Sequence, residues 1–171
     1  MANNNSAITL KGNKVDIRGT TPSLGMPAPS FTLIGNNFNE VKLEDYQGKV
    51  LILSVLPSLE TPVCHVETKR FNEEATKLGS DVAIVTASLD LPFAQKRWCG
   101  QEGVENLVTA SDFKFHSLEK NYGVLVEQMG LLTRAVFVID KNQNLAYIQY
   151  VSEIAEEPNY EEIIDQVKKL L

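Results

Sequence analysis

Two apolar runs dominate the middle of the chain, KVLILSVL at 49–56 and VAIVTAS at 82–88. Neither alternates, so each predicts a strand buried on both faces of a sheet. Between them, TPVCHVETKRFNEEATKLG (61–79) spaces its apolar residues at helical intervals. Thr61 suits the cap, Pro62 the first helical position and Gly79 the stop. DLPFAQKRWCGQEG (90–103) predicts a shorter helix, with Asp90 as cap and Gly100 or Gly103 as terminator. LVTA (107–110) predicts a short strand and FHSLEKNYG (115–123) a short helix. RAVFVID and LAYIQY flank KNQN as strand, turn and strand. NYEEIIDQVKKLL predicts a closing helix capped by Asn159, with Glu162 three residues on as in a capping box. Its apolar face is Ile163, Ile164, Val167, Leu170 and Leu171.

Upstream, ITLKGNKVDIRG reads as a hairpin turning at Gly12-Asn13. TTPSLGMPAPSFTLIG is an irregular connection that enters a strand near Phe31 to Ile34. The order β-α-β-α-(β-α)-β-β-α predicts a three-layer α/β domain with a mixed central sheet and an antiparallel final strand pair. That pattern is thioredoxin-like, with an N-terminal β-hairpin extension over residues 1–20. A chain of 171 residues, 43% of them hydrophobic, suits a single domain spanning 1–171. There is no internal repeat.

Charge narrows the partners. The formal net charge is -6, which argues against nucleic acid or an anionic membrane as the main partner, since both need a basic footprint. Lys69-Arg70 and Lys96-Arg97 read as solvated helix faces. The polar N-terminus lacks the basic start and apolar stretch of a signal peptide, and VLILSVL is too short to span a bilayer. The expected address is the cytoplasm, where reductants keep thiols reduced. Two cysteines without CxxC spacing do not make a metal site by themselves.

Candidate chemistry centres on Cys64. A thiolate, not a thiol, is the nucleophile, and a helix N-terminus and a nearby cation favour it. With Thr61 as cap, Cys64 is the third helical residue, facing unpaired N–H groups and the positive end of the helix dipole. Cys64, Phe71 and Ala75 share the apolar stripe, which sets the sulfur at the floor of a pocket. Thr61 precedes Cys64 by one turn, so its hydroxyl can approach the same substrate. Pro57 ends the buried strand at the carboxyl edge of the sheet, where α/β ligands bind. Each residue also has a plainer reading: a small buried hydrophobe for Cys64, a cap for Thr61, a turn for Pro57.

Together Pro57, Thr61 and Cys64 form P-x-x-x-T-x-x-C, which resembles the active-site pattern of peroxiredoxins. PSLETPVC is similar to the thiol peroxidase subfamily. FAQKRWC, ending in Cys99, resembles that subfamily's second motif, where an aromatic precedes the resolving cysteine. LLTRAVFVID resembles the segment that supplies the active-site arginine, placing it at Arg134. FNEEATKL and the ITLKGN hairpin extend the resemblance over nearly the whole chain, in order. Without it, Arg134 reads as a strand-end surface arginine, Cys99 as a buried thiol and Trp98 as core.

The resemblance implies a thiol-specific peroxidase of the atypical two-cysteine type. Cys64 takes one oxygen from hydrogen peroxide or an organic (alkyl or lipid) hydroperoxide and becomes a sulfenic acid. Thr61 and nearby backbone supply donors, Arg134 favours thiolate and polarises the peroxide, and Pro57 shields Cys64 from water. Cys99 then forms an intramolecular disulfide with Cys64, which thioredoxin reduces. A disulfide needs Cα atoms within roughly 7 Å, so two separate helices imply a local rearrangement, eased by Gly100. The resemblance also implies a homodimer, with VLVEQMGLL (124–132) as the candidate contact, and no metal, haem or flavin.

Departures from the subfamily pattern are Glu60 in place of Asp, Trp98 in place of Phe, and His65 in place of another polar residue. His65 diverges by about 100° from Cys64 around the helix and is expected to point away. Glu67, one turn after Cys64, is a candidate to orient Arg134, and His116 reads as structural. Two other function classes fit parts of the chain. A general thiol–disulfide oxidoreductase requires C-x-x-C, and Thr61 stands three before Cys64 instead. A redox sensor is expected to react slowly with peroxide and turn over little.

Overall fold

The computed structural model describes residues 7–171; residues 1–6, the start of the expected 1–20 extension, lie outside the described residues. The hairpin pairs β1 (Thr9–Leu10) with β2 (Asn13–Lys14). Its turn is Lys11-Gly12, one residue earlier than expected. Both turn residues have positive φ, 50° and 80°, as a type I′ turn demands. Glu153 fixes the turn there: its carboxylate accepts from Lys11 N at 2.9 Å and Gly12 N at 3.0 Å.

Beyond β3 (Ile17–Arg18), the chain enters a hairpin of β4 (Thr32–Gly35) and β5 (Glu40–Lys42), then a 3-10 turn at Leu43–Tyr46. The body follows as β6 (Val50–Val55), α1 (Pro62–Leu78), β7 (Val82–Ser88), α2 (Pro92–Glu102), β8 (Val108–Ser111) and α3 (Ser117–Tyr122). Next come β9 (Leu125–Val126), β10 (Leu131–Leu132), β11 (Ala135–Ile139), β12 (Leu145–Tyr150) and α4 (Tyr160–Lys168).

Seven strands make one mixed sheet in the order β12-β11-β6-β7-β8-β4-β5. β6, β7 and β8 run parallel, and the outer pairings are antiparallel. β6 is buried along its whole length. Leu51, Leu53 and Val55 join the core on one face, with Leu118, Tyr122 and Phe137. Val50 and Ile52 join the core on the other, with Phe71 of α1 and Ile163 and Val167 of α4. A non-alternating apolar run is what two covered faces require.

Several expected details shift. α2 begins at Pro92 with Leu91 as its cap, because the Asp90 carboxylate is engaged elsewhere. Gly103, in the left-handed region, ends α2, and Gly100 lies inside it. In α4 the Asn159 side chain accepts from Glu162 N, while Leu171 falls outside the apolar face and is 51% exposed. The 124–132 segment folds into the chain's own core. β9 sits between β10 and β3 in a small sheet, and Val124, Val126 and Leu132 are fully buried. Only Leu125, Met129 and Leu131 of its apolar residues stay half-buried.

Candidate active site

β6 delivers the chain to the carboxyl edge of the sheet at buried Leu56 and Pro57. Residues 58–61 turn the chain, and α1 starts at Pro62, so Cys64 is its third residue as expected. Thr61 occupies the cap position in extended conformation but makes no side-chain cap hydrogen bond. Its hydroxyl donates instead to Ser58 O at 2.9 Å. The capping function is therefore absent, and the amide end of α1 stays open towards Cys64.

Asp90 holds this turn in place. Its carboxylate accepts from Ser58 Oγ at 2.7 Å, Leu59 N at 2.8 Å and Ser88 Oγ at 2.8 Å. The loop after β6 is thereby pinned to the end of β7. The sequence gives Asp90 the look of a cap because an acid precedes a helix; only the parallel pairing of β6 and β7 brings it to the Cys64 loop.

Cys64 is fully buried in an apolar cluster with Leu56, Leu59, Trp98 and Val104. Arg134, one residue before β11, reaches it from the far side of β6. Ala135 pairs with Val55, which sets Arg134 beyond the strand end next to the start of α1. Its side chain is 2% exposed, so the surface reading of Arg134 does not hold. Nη2 donates to the Cys64 sulfur at 3.2 Å, Nε donates to Ile154 O at 2.9 Å, and Nη1 pairs with Glu67 Oε2. The other Glu67 oxygen accepts from Ser54 Oγ at 2.8 Å.

Ser54 is the one polar residue in the run VLILSVL. Alternation along β6 puts it on the α1 face with Val50 and Ile52, opposite Glu67. That isolated serine was the available signal for a buried polar partner. Burial pushes the Glu67 carboxyl up from its ordinary range, against the pull of Arg134 and Ser54. For Arg134, burial works against charge, but Glu67 and Cys64 outweigh it and hold the guanidinium protonated. A buried ion pair with all its polar atoms engaged fixes orientation. The sulfur thus faces a fixed cation and the positive end of α1, the two features that stabilise negative charge on it.

Cys99 lies in α2, half-buried against the cluster that contains Cys64. Both thiols are free. The Cys99 sulfur contacts Thr109 Oγ1 at 3.3 Å. His65 turns towards α2 rather than the sulfur. Its ring meets Trp98 edge to face at 5.4 Å, and Nε2 lies 3.4 Å from Glu102. Glu60 pairs with Arg97 at 2.7 Å, and His116, the cap residue of α3, lies 3.1 Å from Glu119 in its first turn. Among the described residues, no group of three His, Cys, Asp or Glu could hold a metal ion, and no helix is long and apolar enough to cross a membrane.

The Redoxin family matches residues 23–164. The thiol peroxidase of Bacillus subtilis is 47% identical over 164 residues, 96% of this chain and 98% of that protein. The thiol peroxidase of Halalkalibacterium halodurans is 46% identical, over 97% of this chain and 99% of that protein. Among solved structures, a peroxiredoxin-like protein from Aquifex aeolicus superposes with a TM-score of 0.91 at 42% identity, covering 96% of this chain and 97% of that one. The thiol peroxidase from Chromobacterium violaceum has a TM-score of 0.85 at 16% identity, with 96% and 97% covered, and supports the thioredoxin-like fold alone. The chain belongs to the Redoxin family, and within it to the thiol peroxidases of the peroxiredoxin superfamily.

Proposed function

We propose that this chain reduces hydrogen peroxide and organic hydroperoxides with Cys64 as the attacking thiolate. The carrying observation is the contact of Arg134 Nη2 with the buried Cys64 sulfur at 3.2 Å, braced by Glu67 and Ser54. The sulfur attacks the terminal oxygen of ROOH, the S–O bond forms as O–O breaks, and RO⁻ takes a proton to leave as alcohol. Negative charge moves from sulfur to the leaving oxygen, so donors are needed along its path. Arg134 stands at the sulfur end. The exposed Thr61 hydroxyl, one turn earlier, rotates from Ser58 O to the incoming peroxide, and the open amides of α1 serve the same oxygens. Pro57, buried at the end of β6, excludes water from the back of the pocket. The apolar cluster around Cys64 suits alkyl and lipid chains.

Cys99 attacks the resulting sulfenic acid. The Cys64–Cys99 bond forms, and hydroxide leaves with the Cys99 proton as water. A thioredoxin dithiol then reduces the disulfide by exchange. A disulfide that forms and is reduced in each turnover suits a reducing compartment, the cytoplasm. Exposed Phe93, Leu91 and Phe38, on and beside the helix that carries Cys99, offer an apolar surface for pairing into a homodimer, which sedimentation checks.

Peroxide loss coupled to NADPH consumption, with thioredoxin and its reductase, tests the reading. Turnover is expected to vanish in Cys64→Ser and to fail with thioredoxin in Cys99→Ser. Unchanged turnover in Cys64→Ser overturns it. Equal turnover in Cys99→Ser removes the resolving role alone.

A further inference from the structure

Cys99 sits in the last turn of α2, where its carbonyl accepts from Gly103 N and, at 3.1 Å, from Val104 N. Its sulfur faces β8, 3.3 Å from Thr109 Oγ1. The Thr109 hydroxyl in turn donates to Asn36 Oδ1 at 2.9 Å, in the turn between β4 and β5. A threonine hydroxyl has one proton, and an amide oxygen only accepts. The Thr109 proton is therefore committed to Asn36. At its contact with Cys99, Thr109 must accept and the Cys99 S–H must donate. Thr109 is 2% exposed, so water does not compete for its hydroxyl, while Cys99 and Asn36 are half-buried.

The same turn grips α2 at two further points. Lys96 Nζ donates to Asn37 Oδ1 at 3.0 Å, and the Phe38 and Phe93 rings lie 4.8 Å apart. The β4–β5 hairpin thus holds both the helix and its thiol.

We propose that Thr109 and Asn36 are positioning residues that park Cys99 as a neutral thiol facing β8, and so set the rate at which it attacks oxidised Cys64. This rests on the reading of Cys99 as the resolving cysteine. Parking decides between two fates of the Cys64 sulfenic acid. Attack by Cys99 forms S–S, breaks S–O and releases water. A second hydroperoxide instead adds an oxygen, giving Cys64 sulfinic acid and an alcohol. A slower release of Cys99 lengthens the exposure to that second oxidation.

Reduced protein mixed with hydrogen peroxide is followed by fluorescence of Trp98, the single tryptophan and the direct neighbour of Cys99. The peroxide-dependent phase reports Cys64 oxidation, and the peroxide-independent phase reports disulfide formation. Thr109→Val is expected to leave the first phase unchanged and speed the second about two- to tenfold, the range of one lost hydrogen bond. Thr109→Ser restores the original rate, and Asn36→Ala shifts it in the same direction as Thr109→Val. At fixed peroxide excess, mass spectrometry finds less Cys64 sulfinic acid in Thr109→Val. A second phase unchanged or slower in both Thr109→Val and Asn36→Ala overturns the proposal while leaving the resolving role intact. A second phase that persists in Cys99→Ser overturns the resolving role, and the proposal with it.

Discussion

The Arg134 guanidinium meets the Cys64 sulfur at 3.2 Å through Nη2, and both side chains are withdrawn from solvent. Its other nitrogens are occupied by Glu67 and Ile154 O, so only Nη2 faces the Cys64 sulfur. Lysine, a point charge on a flexible stem, cannot reproduce this fork. Arg134→Lys is expected to lower kcat/KM for peroxide about a hundredfold, the scale of losing one fixed transition-state donor. Stopped-flow rates of Cys64 oxidation check it.

Glu67 and Ser54 brace that fork from below. Removing one partner of a buried pair leaves the other charge uncompensated, so Glu67→Ala is expected to cost about 3–5 kcal/mol of stability. Glu67→Gln keeps the volume and a hydrogen-bonding oxygen and is expected to lose less. Urea denaturation of the reduced proteins separates the two.

Asp90 ties the Cys64 loop to β7 through Ser58, Leu59 and Ser88. Asp90→Ala is expected to cost about 1.5–3 kcal/mol, the range for hydrogen bonds to a charged group. It is also expected to slow peroxide reduction by loosening residues 58–61. A matched loss in urea midpoint and in kcat/KM is the expected signature.

Thr61 is at the cap position of α1 but does not cap. A capping threonine typically contributes about 0.5–2 kcal/mol; Thr61→Val is expected to cost less than about 0.5 kcal/mol. Its effect falls on chemistry, a loss of about a hundredfold in kcat/KM, with Thr61→Ser recovering most of it. Paired thermal melts and peroxide kinetics distinguish a donor from a cap.

The sequence made β6, α1, β7, α2 and the β11–β12 pair legible because each is long and its apolar spacing matches one period. The short strands β5, β9 and β10 were missed, since two or three residues carry no period. Arg134 was legible only through the family motif; nothing local distinguishes a strand-end arginine on the surface from one turned inward. Ser54, Asp90 and Thr109 escaped for a common reason. Each acts through a partner brought near by tertiary structure, α1 packed on β6, β6 paired with β7, and α2 packed on β8, at 13, 31 or 32, and 10 positions away respectively, and no local pattern encodes that.

Glu153 holds the N-terminal hairpin by accepting from Thr9 Oγ1, Lys11 N, Gly12 N and Ala155 N. Those amide bonds depress its carboxyl from the ordinary 4.5 to about 2. Because the folded value lies below the unfolded one, its stabilisation is present above about pH 4.5 and is lost as pH falls towards about 2. Amide exchange at Lys11 and Gly12 is expected to accelerate across that window, and Glu153→Gln to remove the pH dependence.

The most direct test adds one equivalent of hydroperoxide to fully reduced protein and maps the cysteines by mass spectrometry. The account predicts that one peroxide is consumed per chain, both thiols disappear, and Cys64 and Cys99 are joined within a single chain. It predicts no comparable peroxide consumption by Cys64→Ser. Peroxide consumed equally by Cys64→Ser, or both thiols left intact in the original chain, would contradict it.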